Sequence, residues 1–321
     1  MSQEPPPIRS RVEARAHIPV LLDGVRSVLA PRPGEVYLDC TAGLGGHAAA
    51  LAPLLAPGGR VILNDADPAN LAAATGHVRQ VAPDTSVTGL QGNFALLPHH
   101  LESAGLLADL VLADLGFASN QMDDPRRGLS FSHDGPLDMR LDPTLPATAA
   151  DLVASLPEAE LARIIADYGE DRHARRIARR LVEARTHEPI STTGRLARIV
   201  RAAAGPSGGI DPATRTFQAL RIAVNDELGS LEAILAAITR DAKAIAQGKR
   251  GRWLAPHARV AVITFHSLED RSVKHAFAGC ELAGAVDLTN GPRPASESEQ
   301  RANPRSRSAK LRAIRLPATK T

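Results

Sequence analysis

The 321-residue sequence predicts an α/β protein in which helices cover both faces of a parallel sheet. Apolar strands alternate with helices from residue 35 to residue 114, and this alternation is typical of buried parallel sheets. The turn after the first strand carries Gly43, Gly45 and Gly46, as a tight connection from a strand to a helix requires. The strand pattern returns only near residue 258, so a long helical segment divides the sheet along the chain.

The first strand is predicted at residues 35–40, and the glycine turn follows it directly. Gly43, Gly45 and Ala48 satisfy the pattern G-x-G-x-x-G/A, and Asp65 comes about twenty residues later, as in a dinucleotide site. The pattern by itself leaves three interpretations open: a dinucleotide site, an S-adenosylmethionine site, or a tight turn without a ligand. In both binding sites, the N–H groups at the helix start would face a ligand above the strand ends.

Three more strands are predicted at residues 60–65, 86–90 and 109–114, and a helix follows each of the first two. The helix after the second strand has clear start signals, because Asp67 suits the N-cap and Pro68 suits the first helical position. In an open parallel sheet, ligands bind outside the carboxyl ends of the strands. The residues that end these strands are therefore the first candidates for a functional site.

A loop and a helical block interrupt the sheet pattern. Residues 121–139 are rich in Asp, Arg, Gly and Pro, which predicts an ordered loop, and residues 148–204 favour helices throughout. Ser155-Leu-Pro-Glu158 fits a capping box, which marks the start of a helix. We expect residues 122–205 to form a loop and helical insertion that serves as a substrate-recognition domain.

The sheet pattern resumes in the last third of the chain. Residues 213–245 predict one long amphipathic helix, with room for a break, and residues 258–265 predict a strongly apolar fifth strand. Alternation at residues 310–316 predicts a last strand at the edge of the sheet. We therefore expect residues 17–121 and 206–321 to form one core around the insertion.

Composition limits the classes of protein to which the chain can belong. The formal net charge is only +3, so the field of the whole molecule indicates no partner. Cys40 and Cys280 show no metal-binding spacing, which predicts free thiols in a reducing cytoplasm and no metal. No run of about twenty apolar residues exists, so we expect no membrane span. Residues 1–16, rich in Pro, Arg and Glu, predict a disordered arm.

Four residues at or after strand ends are candidates for the chemistry of a site. Asp65 can accept hydrogen bonds from both hydroxyls of a ribose, and the competing role of a helix cap already falls to Asp67. Phe94 suits either a stack on adenine or a hydrophobic contact at a helix start. Asp114 ends an apolar strand, where an ionised group is costly unless it has a function. His266 suits either a proton acceptor or a helix-start residue bonded to backbone.

Together the motifs resemble the RsmH (MraW) family of bacterial small-subunit ribosomal RNA methyltransferases. The matching stretches span nearly the whole chain in the family's order. They are His17–Leu22, Gly43–His47, Asp65–Pro68, Asp114–Gly116, Gln121–Asp124, Pro136–Arg140, Tyr168–Glu170, Phe217–Ile222, Val224–Asn225, Glu227–Leu228, Phe265–Arg271 and Asn303–Arg312. In two places the chain departs from the family pattern. Asn64 stands where a small residue is usual, and Phe117-Ala118 replaces the commoner Val-Ser.

The resemblance implies a class I S-adenosylmethionine-dependent methyltransferase (Rossmann-like) core with a helical insertion after the fourth strand. It implies methyl transfer from S-adenosyl-L-methionine, with S-adenosyl-L-homocysteine as product, to the exocyclic N4 of a P-site cytosine in 16S ribosomal RNA of the small subunit. The family's cofactor contacts map onto Gly45, Gly46, His47, Asp65, Phe94, Asp114 and Gln121. The sequence leaves the oligomeric state open, a homodimer included.

Cytosine N4 is a poor nucleophile, because its lone pair is delocalised into the ring. An acceptor that holds one N4–H would draw the lone pair towards the methyl group. We expect Asp114 to be that acceptor, although the cofactor role implied by the resemblance competes with it. His266 is the second candidate for a proton acceptor.

Two basic clusters are candidates for contact with RNA phosphates. They are Arg172, Arg175, Arg176 and Arg179 in the insertion, and Arg305, Arg307 and Lys310 in the tail. The alternative is an arginine-rich face that is only solvated. The sequence shows no obvious aromatic platform for base stacking, so we expect recognition by RNA shape and by the assembled subunit. Two other functions remain open, an NAD-dependent dehydrogenase and a non-catalytic RNA-binding assembly factor.

Overall fold

The computed structural model describes residues 19–205 and 209–319, so the arm predicted at residues 1–16 lies outside the described residues. An eight-stranded sheet forms the centre of the protein, and its order is β3-β2-β1-β4-β5-β8-β6, with β7 also paired to β8. The strands are β1 Val36–Asp39, β2 Arg60–Asp65, β3 Ser86–Gln91, β4 Ala108–Asp114, β5 Leu254–Thr264, β6 Val286–Asp287, β7 Arg293–Pro294 and β8 Lys310–Arg315.

The five strands β3-β2-β1-β4-β5 run parallel to one another, which confirms the predicted sheet type. Along the chain, β2 and β3 are placed on one side of β1, and the later strands from β4 onwards are placed on its other side. The strand order therefore reverses between β1 and β4. Such a reversal is the point at which open α/β sheets bind their ligands. The sheet therefore marks the crevice above β1 and β4 as the place for a site.

The last strand, β8, lies antiparallel to β5. The prediction that it forms the edge of the sheet is wrong, because β6 and β7 pair with its other side. Each of those two strands has only two residues, too few to produce an alternation in the sequence. Helices cover the faces of β8: Leu311 and Ala313 pack in the apolar cluster on one side of the sheet, and Ile314 packs in the cluster on the other side.

Thirteen α-helices lie within the described residues, together with four short 3-10 turns. The helices are α1 Leu22–Leu29, α2 Gly46–Leu51, α3 Pro68–Val81, α4 Leu97–Ser103, α5 Ser119–Asp123, α6 Ala149–Ser155, α7 Glu158–Gly169, α8 Ala174–His187, α9 Thr193–Ala204, α10 Ala213–Asn225, α11 Glu227–Ala246, α12 Ser267–Glu281 and α13 Glu297–Ala302. Asp67 caps α3 by accepting a hydrogen bond from Ala69, and Pro68 is its first residue, as predicted.

Helices cover both faces of the sheet, because successive strand residues point to opposite sides. Tyr37 of β1 packs in the apolar cluster that includes residues of α1, α2 and α3. Its neighbour Leu38 packs in the cluster that includes residues of α4, α11 and α12. This double cover leaves the carboxyl ends of the strands as the open edge of the core.

Helices α6 to α10 pack around a third apolar cluster, to which the sheet contributes no strand residue. Ile165, Ile177 and Phe217 are among its buried members. Helix α10 therefore packs with the insertion, although we assigned it to the core, and the break before α11 falls at Asp226, whose φ is 47°. The division into core and insertion stays a proposal, and this packing favours a boundary near Asp226.

One helix start differs from the prediction. Ser155 is the last residue of α6 and donates to the carbonyl of Asp151, whereas α7 begins after Pro157. The capping box lies instead at the start of α6, where Thr148 and Asp151 bond reciprocally. Of the helices within residues 19–205 and 209–319, none is long and apolar enough to cross a membrane.

Candidate active site

Three neighbouring parallel strands end in aspartates, which brings Asp39, Asp65 and Asp114 to one edge of the sheet. Burial raises the pKa of Asp39 to about 7 and the pKa of Asp65 to about 6. Burial also raises the pKa of Asp114 well above its ordinary value, with a further contribution from the charges of Asp39 and Glu269. Clustered, perturbed acids of this kind are typical of functional sites.

A cavity of about 220 Å³ opens above these strand ends, at the switch point between β1 and β4. Its walls come from the glycine turn, from Asp65, from the loop after β4 and from the first turn of α11. The insertion contributes too, through Leu141 and Leu145. Core and insertion therefore both shape this cavity.

The three glycines of the turn have different roles. Gly43 has a φ of 53°, and its N–H donates to Oδ2 of Asp65 at 2.7 Å. Gly46 lines the cavity. Gly45 does not line it: a Cβ there would lie 2.8 Å from the Cα of Ala74, so the glycine allows α3 to approach closely. The structure thus places Gly46 at the cavity, where its predicted cofactor contact stays a prediction, and gives Gly45 a packing role.

Asp65 reaches the cavity with part of its hydrogen-bonding capacity already used. Oδ2 accepts from Gly43, and Oδ1 accepts from the N–H of Asp67 at 2.8 Å. Each oxygen of a carboxylate can accept a second hydrogen bond. Asp65 therefore remains able to bind two hydroxyl groups of a ligand while it holds the turn.

Asn64, one of the residues that depart from the family pattern, is buried and lines the cavity. Its Nδ2 donates to the carbonyl of Cys40 at 2.9 Å and to the carbonyl of Gly92 at 3.1 Å. These bonds join the segments that follow β1 and β3. The departure thus adds a polar crosslink at the site.

One carboxylate oxygen of Asp114 is available as a hydrogen-bond acceptor. Its Oδ1 is buried and has no hydrogen-bond partner among the described residues, and its Oδ2 lies 3.6 Å from Nδ1 of His47. The other ring nitrogen of His47, Nε2, lies 2.9 Å from the carbonyl oxygen of Val20, which orients the ring. Since a buried acceptor without a partner is costly, this atom is suited to a ligand that donates a hydrogen bond.

Phe94 and Gln121 also line the cavity, but only Gln121 has its side chain hydrogen-bonded to the surrounding protein. Phe94 is half-buried and lines the wall next to Asn93, which donates to Ser230 at 2.6 Å. The side-chain amide of Gln121 makes hydrogen bonds within the protein: Nε2 donates to Asp67 at 3.1 Å, and Oε1 accepts from the N–H of Ala118 at 2.9 Å. Gln121 therefore braces the loop after β4 against the start of α3.

His266 does not line the cavity, although its neighbour Phe265 does. The residue is the N-cap of α12, where Nδ1 accepts from the N–H of Glu269 at 3.4 Å. Its Nε2 lies 3.1 Å from Oε1 of the same glutamate. These contacts with Glu269 support the helix-start role of His266.

Two cavity residues that sequence reasoning did not assign are Asn225 and Glu227, on either side of the break between α10 and α11. Asn225 donates to the carbonyl oxygens of Met139 and Arg221 and accepts from the N–H of Leu141. This amide ties the loop of the insertion to α10. The family resemblance marked the stretch, but no local pattern indicated where it would lie.

The basic residues predicted to bind RNA fall into two places. All four arginines of the insertion are exposed: Arg172 precedes α8, and Arg175, Arg176 and Arg179 lie on it. Arg172 donates to His173, and Arg176 donates to the carbonyl of Ala204. In the tail, Arg307 is exposed, and Nζ of Lys310 lies 3.3 Å from Oδ2 of Asp270. Arg305 lines the cavity, and its Nη2 lies 3.2 Å from Oδ2 of Asp123. Only Arg305 joins a predicted RNA contact to the cavity itself.

Cys40 and Cys280 are both buried as free thiols, and burial raises the pKa of each. Across the described ranges, no three His, Cys, Asp or Glu side chains cluster as metal ligands.

By its fold the chain has a Rossmann-like core of the kind found in class I methyltransferases, a sheet with its ligand crevice above the strand ends. More particularly, it belongs to the MraW methylase family, whose sequence model matches residues 14–316. Membership of a methylase family decides against the dinucleotide interpretation of the glycine turn.

Curated relatives resemble the chain over almost their whole length. A protein of Symbiobacterium thermophilum is 46% identical over 321 residues, which cover 93% of this chain and 96% of the relative. A protein of Deinococcus radiodurans is 48% identical over 300 residues, which cover 92% of this chain and 88% of the relative. Both relatives carry the name ribosomal RNA small subunit methyltransferase H.

Proposed function

We propose that this protein transfers a methyl group from S-adenosyl-L-methionine to the exocyclic N4 of a P-site cytosine in 16S ribosomal RNA of the small subunit. The observation that carries the proposal is Asp114, which lines the cavity and whose Oδ1 is a buried acceptor without a partner among the described residues. An exocyclic amine offers the N–H that such an acceptor needs. The names of the relatives support ribosomal RNA of the small subunit as the substrate.

The residues around the cavity fit the cofactor. Asp65 would accept from its ribose hydroxyls, and Phe94 would contact its adenine. Gly46 and His47, at the start of α2, line the cavity where the backbone can approach a ligand closely. When bound, S-adenosylmethionine supplies an electrophilic methyl group on a sulfonium.

Asp114 has the properties of the group that assists N4. Its carboxylate would accept one N4–H, which leaves the nitrogen lone pair free for the methyl group. Burial makes this carboxylate a stronger base than a surface aspartate, so it can take the proton that N4 releases as the new C–N bond forms. Asp114 is held in its ionised form when a positive charge lies in the cavity. His47, 3.6 Å away, borders the same carboxylate.

The loop after β4 would form the wall against which the target base is placed. Gln121 holds the N–H of Ala118, and Asp67 holds Gln121, so the loop is fixed to the start of α3. An enzyme that acts on a base must take the base out of its stack and hold it in a pocket. In-line transfer depends on position, so a braced wall contributes directly to the rate.

We assign recognition of the RNA to the insertion and the tail. The exposed side chains of Arg175 and Arg179 on α8 suit contact with phosphates, and Arg305 at the cavity suits the backbone of the target nucleotide. The same proposal includes that the protein acts in the cytoplasm and that its substrate is ribosomal RNA.

Transfer of radiolabelled methyl groups to small ribosomal subunits that lack this modification tests the proposal. Nucleoside analysis should recover the label as N4-methylcytidine, and large subunits should remain unlabelled. A protein that binds the subunit without transferring label would be the non-catalytic assembly factor. Label on another nucleoside would contradict the assignment of N4.

A further inference from the structure

Aromatic side chains are scarce in this chain, yet three of its six phenylalanines line the cavity above β1 and β4. They are Phe94, Phe117 and Phe265. Phe117 follows Asp114 by three residues, in the loop that turns through Gly116 at a φ of 98°. Of the three rings, that of Phe117 therefore lies in the segment that carries the unpaired acceptor.

The ring of Phe117 is half-buried and held from one side by a cation. The guanidinium carbon of Arg221 lies 4.9 Å from the ring centroid, over the face of the ring. Phe117 also packs against the apolar cluster of the insertion, so the ring surface that a ligand can reach is the part that lines the cavity. A cation over an aromatic face is attracted by the ring quadrupole, which stabilises this arrangement.

Arg221 is itself fixed. Its side chain is 13% exposed, and Nε and Nη2 donate to the two carboxylate oxygens of Glu227 at 2.7 and 2.8 Å. The pair spans Asp226, the break between α10 and α11. A bidentate pair of this kind sets both position and orientation. The ring thus rests on a support that is ordered before any substrate arrives.

We propose that Phe117 is the stacking surface for the target cytosine, with Arg221 as the residue that positions the ring. The inference rests on the proposed function and adds the group that holds the base while Asp114 contacts its amine. A flipped base needs a partner for its π-face, and an aromatic ring provides one. From the sequence we expected no aromatic platform for base stacking, whereas here the single ring of Phe117 takes that role. One ring forms no aromatic pattern, so the sequence did not indicate it.

Three variants separate stacking from simple packing. Phe117→Leu removes the π-face and keeps an apolar side chain, and Phe117→Tyr keeps the face. Phe131→Leu is the matched control, because Phe131 also lies under a guanidinium, that of Arg201 at 5.4 Å, but does not line the cavity. Methyl transfer to undermodified small subunits would be followed at saturating cofactor, with S-adenosylhomocysteine affinity measured by calorimetry for every variant.

In Phe117→Leu, kcat/KM for the subunits should fall by about five- to 150-fold, because a base–aromatic stack contributes about 1–3 kcal/mol and 1.4 kcal/mol is a factor of ten. Phe117→Tyr should lose much less than Phe117→Leu, because it keeps the aromatic face. Phe131→Leu should stay within about twofold of wild type, a change of less than about 0.5 kcal/mol. Affinity for S-adenosylhomocysteine should be unchanged throughout.

Three results would overturn the inference while the wild-type enzyme remains active. These are a Leu variant that matches wild type, a Tyr variant as impaired as the Leu variant, and a control variant as impaired as both. The absence of any methyl transfer by wild type would instead contradict the proposed function, and this inference with it.

Discussion

The protonation of Asp65 offers a test of the cofactor site that needs no mutation. Burial raises the pKa of this carboxyl to about 6, so lowering the pH from 7 to 5 protonates it in the free protein. The ionised fraction falls from about nine-tenths to about one-tenth over this interval. The ribose hydroxyls donate to the ionised form of Asp65, so the ligand binds only when this carboxyl has lost its proton. At low pH the free energy needed to remove the proton is subtracted from the free energy of ligand binding, and the measured affinity falls.

Affinity for S-adenosylhomocysteine should therefore be about tenfold weaker at pH 5 than at pH 7, a difference of about 1.4 kcal/mol. The sign follows from the raised pKa: binding is strongest above pH 6 and weakens as the pH falls through it. Calorimetry at constant ionic strength measures both affinities, and circular dichroism checks that the fold persists at pH 5.

Asp65→Asn supplies the comparison, because it removes this titration and keeps a side chain of the same size. The variant should bind more weakly at pH 7, by about 1.5–3 kcal/mol, the scale of hydrogen bonds to a charged group, and should lose most of the pH dependence. Wild-type affinity that stays level between pH 5 and pH 7 would refute the assignment of the ribose to Asp65. A variant with an undiminished pH dependence would refute it equally.

Two further predictions concern the insertion and the glycine turn. Arg175→Glu with Arg179→Glu should weaken RNA binding and flatten its salt dependence by roughly one unit of slope per lost phosphate contact, whereas charge reversal at residues 249–250, at the far end of α11, should do neither. Filter binding at several salt concentrations measures this, and an unaltered slope would show that α8 is only solvated. Gly45→Ala should destabilise the fold by about 1–3 kcal/mol through its φ of 81° and its contact with α3, whereas Gly76→Ala, exposed within α3, should stabilise it by about 0.5–1 kcal/mol. Chemical denaturation measures both changes, and equal effects of the two alanines would contradict the packing role of Gly45.

Features set by a few neighbouring residues were predictable from the sequence. Strand β2 runs from Arg60 to Asp65 as expected, and Asp67 caps α3, because both depend on local apolar runs and a local hydrogen bond. The convergence of Asp65 and Asp114 follows from the parallel sheet, since carboxyl ends meet at one edge.

Features that depend on distant contacts were not predictable. Asn225 reaches the cavity only because the chain breaks at Asp226 and α10 packs with the insertion. Gly45 looks like a ligand glycine in the sequence, and only the position of α3 reveals its packing role. His266 follows a strand end, as a catalytic residue would, but its ring turns to cap its own helix.

The central claim is that Asp114 assists methyl transfer at the cavity above β1 and β4, and Asp114→Asn tests it most directly. The substitution keeps size and polarity but replaces an acceptor oxygen with a donor. Single-turnover transfer of label to undermodified small subunits should slow by roughly two to three orders of magnitude, as when one preorganised electrostatic partner is lost. Affinity for S-adenosylhomocysteine should fall much less than the rate. Single-turnover transfer by the Asn variant within a few-fold of wild type would contradict the claim and leave Asp114 as a structural or cofactor-side acid.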